Sequence, residues 1–223
     1  MRQLLRAAKT TAIVTATFFS VALYAQPIPA DDALPQDYLP KEFHQGRRDA
    51  LRNIMPDNSV TVIFSYPTRT FSNDVEYFYH QNPDMYYFSG YKEPHSLLLV
   101  FKEDQTDSLG NSYNELLFVQ KRNAQAEQWT GRRLGVEGAR ERLGFKMAFN
   151  GADFQKFNID FSRFSKIICD KLPIDVANSY DRSDLFDLMQ QFRQKSGMPE
   201  QLTQQNKFDN KLYHSLTASL REI

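Results

Sequence analysis

The chain has a single cysteine in 223 residues, so no disulfide can form within it. Cys169 lies beside Ile167 and Ile168, the setting of a buried structural thiol rather than a nucleophile. Charge of either sign is in no excess, 27 basic residues against 27 acidic, which leaves no basic footprint for nucleic acid and no acidic tail. Histidines are few: His44, His80, His95 and His214 are scattered, and none stands in HExxH or another short metal-ligand spacing. His80 and His95 flank an aromatic run and read as hydrogen-bonded or surface residues. A Gly-rich phosphate loop, a GxSxG elbow and a supported Cys-His pair are also missing. No catalytic machinery is visible in this chain.

Long hydrophobic runs are lacking too. The uncharged stretch from Thr11 to Tyr24 falls short of the roughly 20 residues that span a bilayer. Arg2, Arg6 and Lys9 precede it and small residues stand at Ala22 and Ala25, so residues 1–25 read as a cleaved secretory leader, a retained anchor being the alternative. Cleavage removes three basic residues and no acidic ones, leaving a formal charge of −3. The expected product is exported, periplasmic or secreted, with no membrane attachment after cleavage. Residues 26–40 carry four prolines and read as an extended linker.

What is present suffices for a core, at 41% hydrophobic residues. An amphipathic helix is predicted from Lys41 to Met55, with Phe43, Ala50, Leu51 and Ile54 on one face and Arg47, Arg48 and Arg52 largely on the other. SVTVIFSY from Ser59 reads as a buried strand, and HSLLLVFKED and NELLFVQKR around a Gly-containing loop as a hairpin or meander. Between them, RTFSNDVEYFYHQNPDMYYFSGY packs eight aromatics into Arg69 to Tyr91. Its β propensity predicts two core strands with Asn82-Pro83-Asp84 as the turn.

Val136 to Leu143 reads as a short helix bounded by Gly135 and Gly144. Phe154, Phe157, Phe161 and Phe164, at helical spacing, form a core face. SKIICDK follows as a buried strand. Ser183 is placed to cap a helix whose inner face carries Leu185, Leu188, Met189 and Phe192, with Gly197 ending it, and Leu212, Leu216 and Leu220 recur four apart. Strands interleaved with helices predict an α/β fold over 41–223, a mixed β-sheet flanked by helices.

The single tryptophan, Trp129, stands in AEQWTGRRLGVEGARERLG, where Gly131 and Gly135 bracket Arg132-Arg133-Leu134. A loop there would present Trp129 and an arginine as a recognition surface, since an aromatic face stacks on a ring and a guanidinium holds a carboxylate or carbonyl. The alternative is Trp129 in the core with both arginines in water. With RRDAL, MPDNSVTVIFS and the aromatic run through YKEP, this stretch resembles the N-terminal domain of the Xaa-Pro aminopeptidases (aminopeptidase P) of the creatinase/prolidase group, most strongly over 43–149.

The resemblance implies a manganese-dependent metallopeptidase that releases the residue before a proline in second position. It also implies a separate pita-bread catalytic domain, absent from this chain, that holds two Mn(2+) ions; within the chain itself no cofactor and no metal ligand are expected. The implied partners are that C-terminal catalytic domain, further copies in a homo-oligomer, and proline-containing peptides. By motif match, Asp74, Trp129 and Arg132 resemble positions that approach substrate, in a neighbouring subunit's site if the domain packs between subunits. Asp74 could equally cap the turn after Asn73. The rival functions are a stand-alone peptide- or protein-binding module of the same fold and a prolidase-like dipeptidase.

Overall fold

Six consecutive residues of strand β1 (Ser59–Phe64) are buried, and the rest of the domain is laid around it. The computed structural model describes residues 39–73, 75–107, 109–199 and 207–221. The leader and nearly all of the linker fall outside that range. Among the described residues no helix is long and apolar enough to cross a membrane.

Helix α1 (Lys41–Ile54) precedes β1. After β1 come two short strands, β2 (Thr70–Ser72) and β3 (Val75–Glu76), then helix α2 (Pro83–Ser89). Strands β4 (Leu97–Thr106) and β5 (Ser112–Val119) follow, then helices α3 (Ala124–Thr130) and α4 (Gly135–Leu143) and strand β6 (Ala148–Asn150). Two 3-10 turns, Gly151–Gln155 and Phe161–Arg163, lead to β7 (Lys166–Cys169), and helices α5 (Leu185–Ser196) and α6 (Asn210–Arg221) complete the order.

The main sheet runs β6-β5-β4-β1-β7. β4 pairs antiparallel with both β1 and β5, whereas β7 lies parallel to β1 and β6 parallel to β5. The predicted mixed sheet flanked by helices is therefore what forms. Side chains alternate across a sheet, and the alternation divides the core into two. Val60, Val62, Phe64, Leu97, Leu99 and Phe101 pack with α5 and the phenylalanines of 154–164. Ile63, Leu98, Val100, Leu117 and Ile168 pack with α1, α2, α4 and α6. Each fully buried Leu or Phe contributes about 1.5–3 kcal/mol relative to exposure.

Three local expectations are corrected. Asn82-Pro83-Asp84 is no turn between strands but the start of α2: Asn82 accepts from the Asp84 N–H at 2.9 Å and Pro83 occupies the first turn. Its amide also donates to the Phe64 carbonyl at 2.8 Å, fixing α2 to the end of β1. So the second half of the aromatic run is helical, because a cap and a proline outweigh its aromatic β propensity. Gly90 closes α2 at φ +74°, where a Cβ would also lie 2.8 Å from His44 Cδ2. In α1 the buried residues are His44, Arg48 and Leu51, whereas Ile54 is exposed; the arginine row does not face water uniformly. In α5 the cap is Asp184, one residue later than Ser183, and its carboxylate accepts from the Asp187 N–H at 2.8 Å.

The phenylalanine row is core, as the spacing predicts, but is spread over the two 3-10 turns and the residues just after them rather than one helix; Phe154, Phe161 and Phe164 are buried and Phe157 packs against them. Leu185, Leu188, Met189 and Phe192 face inward on α5, and Gly197 ends it at φ +70°.

Candidate functional site

Four of the exposed aromatics, Phe71, Tyr77, Phe78 and Trp129, lie on two arms. β2 and β3 pair antiparallel as a small ribbon with every described residue exposed. Phe71 meets Tyr77 edge-on at 5.2 Å, and Phe78 is 93% exposed. These residues do not cross the core, contrary to the strand-pair expectation. Asn73, at φ +48°, makes the turn. Asp74 lies outside the described residues, so its candidate role rests on the motif alone.

The second arm carries Trp129. It stands on the last turn of α3, a short helix within the loop from Arg122 to Gly135, and is 88% exposed. No residue of α3 is buried. A seven-residue helix without an apolar face is not stable by itself, so its polar contacts define it. Asn123 caps it, accepting from the N–H groups of Gln125 and Ala126 at 3.1 Å each. Glu127 accepts two hydrogen bonds from Arg122, at 2.6 and 2.8 Å, and one from the Asn123 N–H at 2.9 Å. The Arg122 bonds, aided by the Asn123 N–H, hold the Glu127 carboxyl down to about 2.

The Arg122 stem also packs on Gly135, where φ is +66° and a Cβ would fall 2.6 Å from Cγ. Any other residue at 135 would strain both backbone and packing. Residues 122 and 135 thus meet as the neck of a closed loop that holds Trp129 outward. Arg132 lies exposed on the turn after α3, and Arg133 reaches back to the Lys121 carbonyl at 3.2 Å.

The Trp129 arm and the segment after the ribbon meet at a residue that neither charge count nor motif spacing singled out. Glu93 accepts from the Leu134 N–H at 2.6 Å and from the Tyr91 hydroxyl at 3.0 Å. Its backbone carbonyl accepts from the Gln81 amide at 2.7 Å, and Gln81 in turn accepts from the Tyr79 hydroxyl at 2.8 Å. Burial pushes the Glu93 carboxyl above the usual range, against the pull of Leu134 and Tyr91. The signal for it in the sequence is only its place, in YKEP between the two motifs.

The histidines are spent on structure or surface. His95 Nδ1 accepts from the Leu185 N–H at 3.0 Å at the start of α5, and His44 Nδ1 bonds the Tyr87 carbonyl at 2.9 Å. His214 pairs with Asp170 at 3.0 Å, and His80 is exposed. Burial pushes the Cys169 thiol up to about 12, which makes it a poor nucleophile. Among the described residues no three His, Cys, Asp or Glu side chains are grouped to hold a metal ion. What the two arms present outward is aromatic surface: Phe71, Tyr77 and Phe78 on one and Trp129 on the other.

The family model for the aminopeptidase P N-terminal domain matches residues 44–164. The chain belongs to that family. Among curated relatives, the Xaa-Pro aminopeptidase of Escherichia coli is 43% identical over 108 residues, 48% of this chain and 23% of that protein. Xaa-Pro aminopeptidase 3 of Dictyostelium discoideum is 34% identical over 110 residues, 49% of this chain and 20% of the relative.

Among solved structures, E. coli aminopeptidase P with the inhibitor Pro-Leu superposes with a TM-score of 0.50 at 29% identity, covering 68% of this chain and 33% of that one. Proline aminopeptidase P II of Yersinia pestis gives 0.50 at 28% identity, covering 70% and 34%. The chain thus spans a quarter or less of these curated relatives and about a third of the solved ones. The aminopeptidase P N-terminal domain holds both arms, since Phe71 through Gly135 lies within the match.

Proposed function

We propose that this domain serves an exported Xaa-Pro aminopeptidase, supplying oligomer contacts and part of the wall against which a proline-containing peptide is held. The observation that supports it best is Trp129, the chain's single tryptophan, left 88% exposed on a loop built from charged hydrogen bonds. A large exposed ring on a fixed scaffold suits stacking on a proline ring. Asp74 is assigned to the peptide's amino group and Arg132 to the Trp loop or the far end of the peptide. Phe71, Tyr77 and Phe78 offer an apolar surface to another copy. The described residues do not fit a metal pair, so the manganese and the hydrolytic step are assigned to a C-terminal catalytic domain, and the part left to this chain is to bind and orient the peptide.

In the peptidase that contains this domain, Trp129→Ala and Asp74→Ala are each expected to lower kcat/KM on Xaa-Pro peptides about tenfold, the equivalent of about 1.4 kcal/mol. The melting temperature should stay put in Trp129→Ala, because Trp129 is exposed. Unchanged kinetics in both variants would remove the wall from the proposal.

A further inference from the structure

Contacts within the Trp129 loop close it on itself: Arg122 with Glu127, Asn123 with the first turn of α3, Arg133 with Lys121. Among the described residues, the hydrogen bond that ties the loop to a distant part of the chain is Leu134 N–H to Glu93, across 41 positions. The Glu93 side chain is fixed in turn by the hydroxyl of Tyr91, a residue with no exposed surface. Its backbone holds Gln81, just beyond the aromatic ribbon. A half-buried carboxylate is costly unless its acceptors are used, and both Glu93 oxygens are.

We infer that Glu93 is a positioning residue, the latch that sets the direction of Trp129 and couples it to the segment carrying Tyr79 and Gln81. It touches no peptide itself. This rests on Trp129 facing the peptide only for its kinetic consequence; the latch is a property of the fold.

Because the chain has one tryptophan, its fluorescence reports on this loop alone. In the 223-residue chain, Glu93→Ala should raise the amplitude of the nanosecond component of Trp129 anisotropy decay at least about twofold, the change from a fixed to a mobile loop. Glu93→Gln should restore the native decay, since the amide oxygen still accepts from Leu134. A native decay in a folded Glu93→Ala protein would overturn the latch.

If Glu93→Ala does not fold, Leu134→Pro removes the donor instead, at a φ of −65° that proline adopts. It should mobilise Trp129 beyond Leu134→Ala, and equal decays in those two variants would count against the latch. In the longer peptidase, Glu93→Ala and Trp129→Ala should lower turnover to the same extent without adding. A kinetic effect absent from both, with the anisotropy change present, would fault the peptide wall and leave the latch intact.

Discussion

Replacing Arg48 by alanine should cost the domain about 3–5 kcal/mol, read as a lower urea midpoint at unchanged slope. Arg48 has no exposed surface, yet it is charged. Nε and Nη2 bond the two Glu115 oxygens at 2.7 and 2.9 Å, Nη1 donates to the Phe88 carbonyl at 2.8 Å, and the guanidinium lies 4.1 Å from the Phe145 ring centre. One side chain therefore joins α1 to α2 and to β5. Alanine would leave the Glu115 carboxylate, 16% exposed, with Arg52 at 3.2 Å as its remaining cation. A shape-conserving Arg48→Met, Glu115→Leu pair should recover most of the loss, because paired burial of charge adds little over apolar packing.

The same pair sets an acid limb. Burial by itself would push the Glu115 carboxyl up, but the Arg48 hydrogen bonds and the charges of Arg48 and Arg52 outweigh it, and the net shift is downward. A carboxyl lowered in the folded state stabilises the fold above its unfolded value, about 4.3, and that contribution is lost as pH falls through the folded value. Native stability should thus fall below about pH 4.3 with a steeper slope than in the Met/Leu pair. Equal slopes in urea titrations from about pH 3 to 6 would refute the assignment.

Arg48 also shows where the sequence was legible and where it was not. Periodicity located α1 and its length, and apolar runs located β1, β4, β5 and β7, because burial on a sheet or one helix face writes itself into residue spacing. Polarity misassigned Arg48, since a buried arginine with partners 40 and 67 positions away leaves no local trace. The aromatic run failed for another reason. Propensity favours strands there, but the Asn82 cap and Pro83 decide the second half, and among the described residues the strands of the first half pair with each other.

At the site, motif resemblance pointed to Trp129 and Arg132, and the structure places both at the surface. Gly135 is marked in the sequence as a bracket of the stretch, but the scaffold of Arg122, Glu127 and Glu93 was not legible, because its bonds link residues with no shared periodicity.

Phe192→Ala is expected to lower stability by about 3–5 kcal/mol, and Phe192→Leu by less than about 1.5 kcal/mol. Phe192 has no exposed surface and meets three other rings: Phe64 of β1 at 5.5 Å, Phe161 at 5.3 Å and Phe208 at 6.5 Å. It belongs to α5, beyond the last residue that the family model matches. Its partners lie on both sides of that limit, so the core on this face of the sheet is shared between the matched part and the residues beyond it.

The domain should accordingly unfold as one unit through α5. In Phe192→Ala, amide hydrogen exchange should show the β1 and β4 amides losing the same free energy of protection as those of α5. Protection retained in β1 and β4 while α5 alone opens would divide the domain at the end of the match and make α5 an independent appendage. The ring contacts argue against that division, because removing Phe192 opens a cavity against Phe64 of β1 and Phe161, both within the match, as well as Phe208 beyond it.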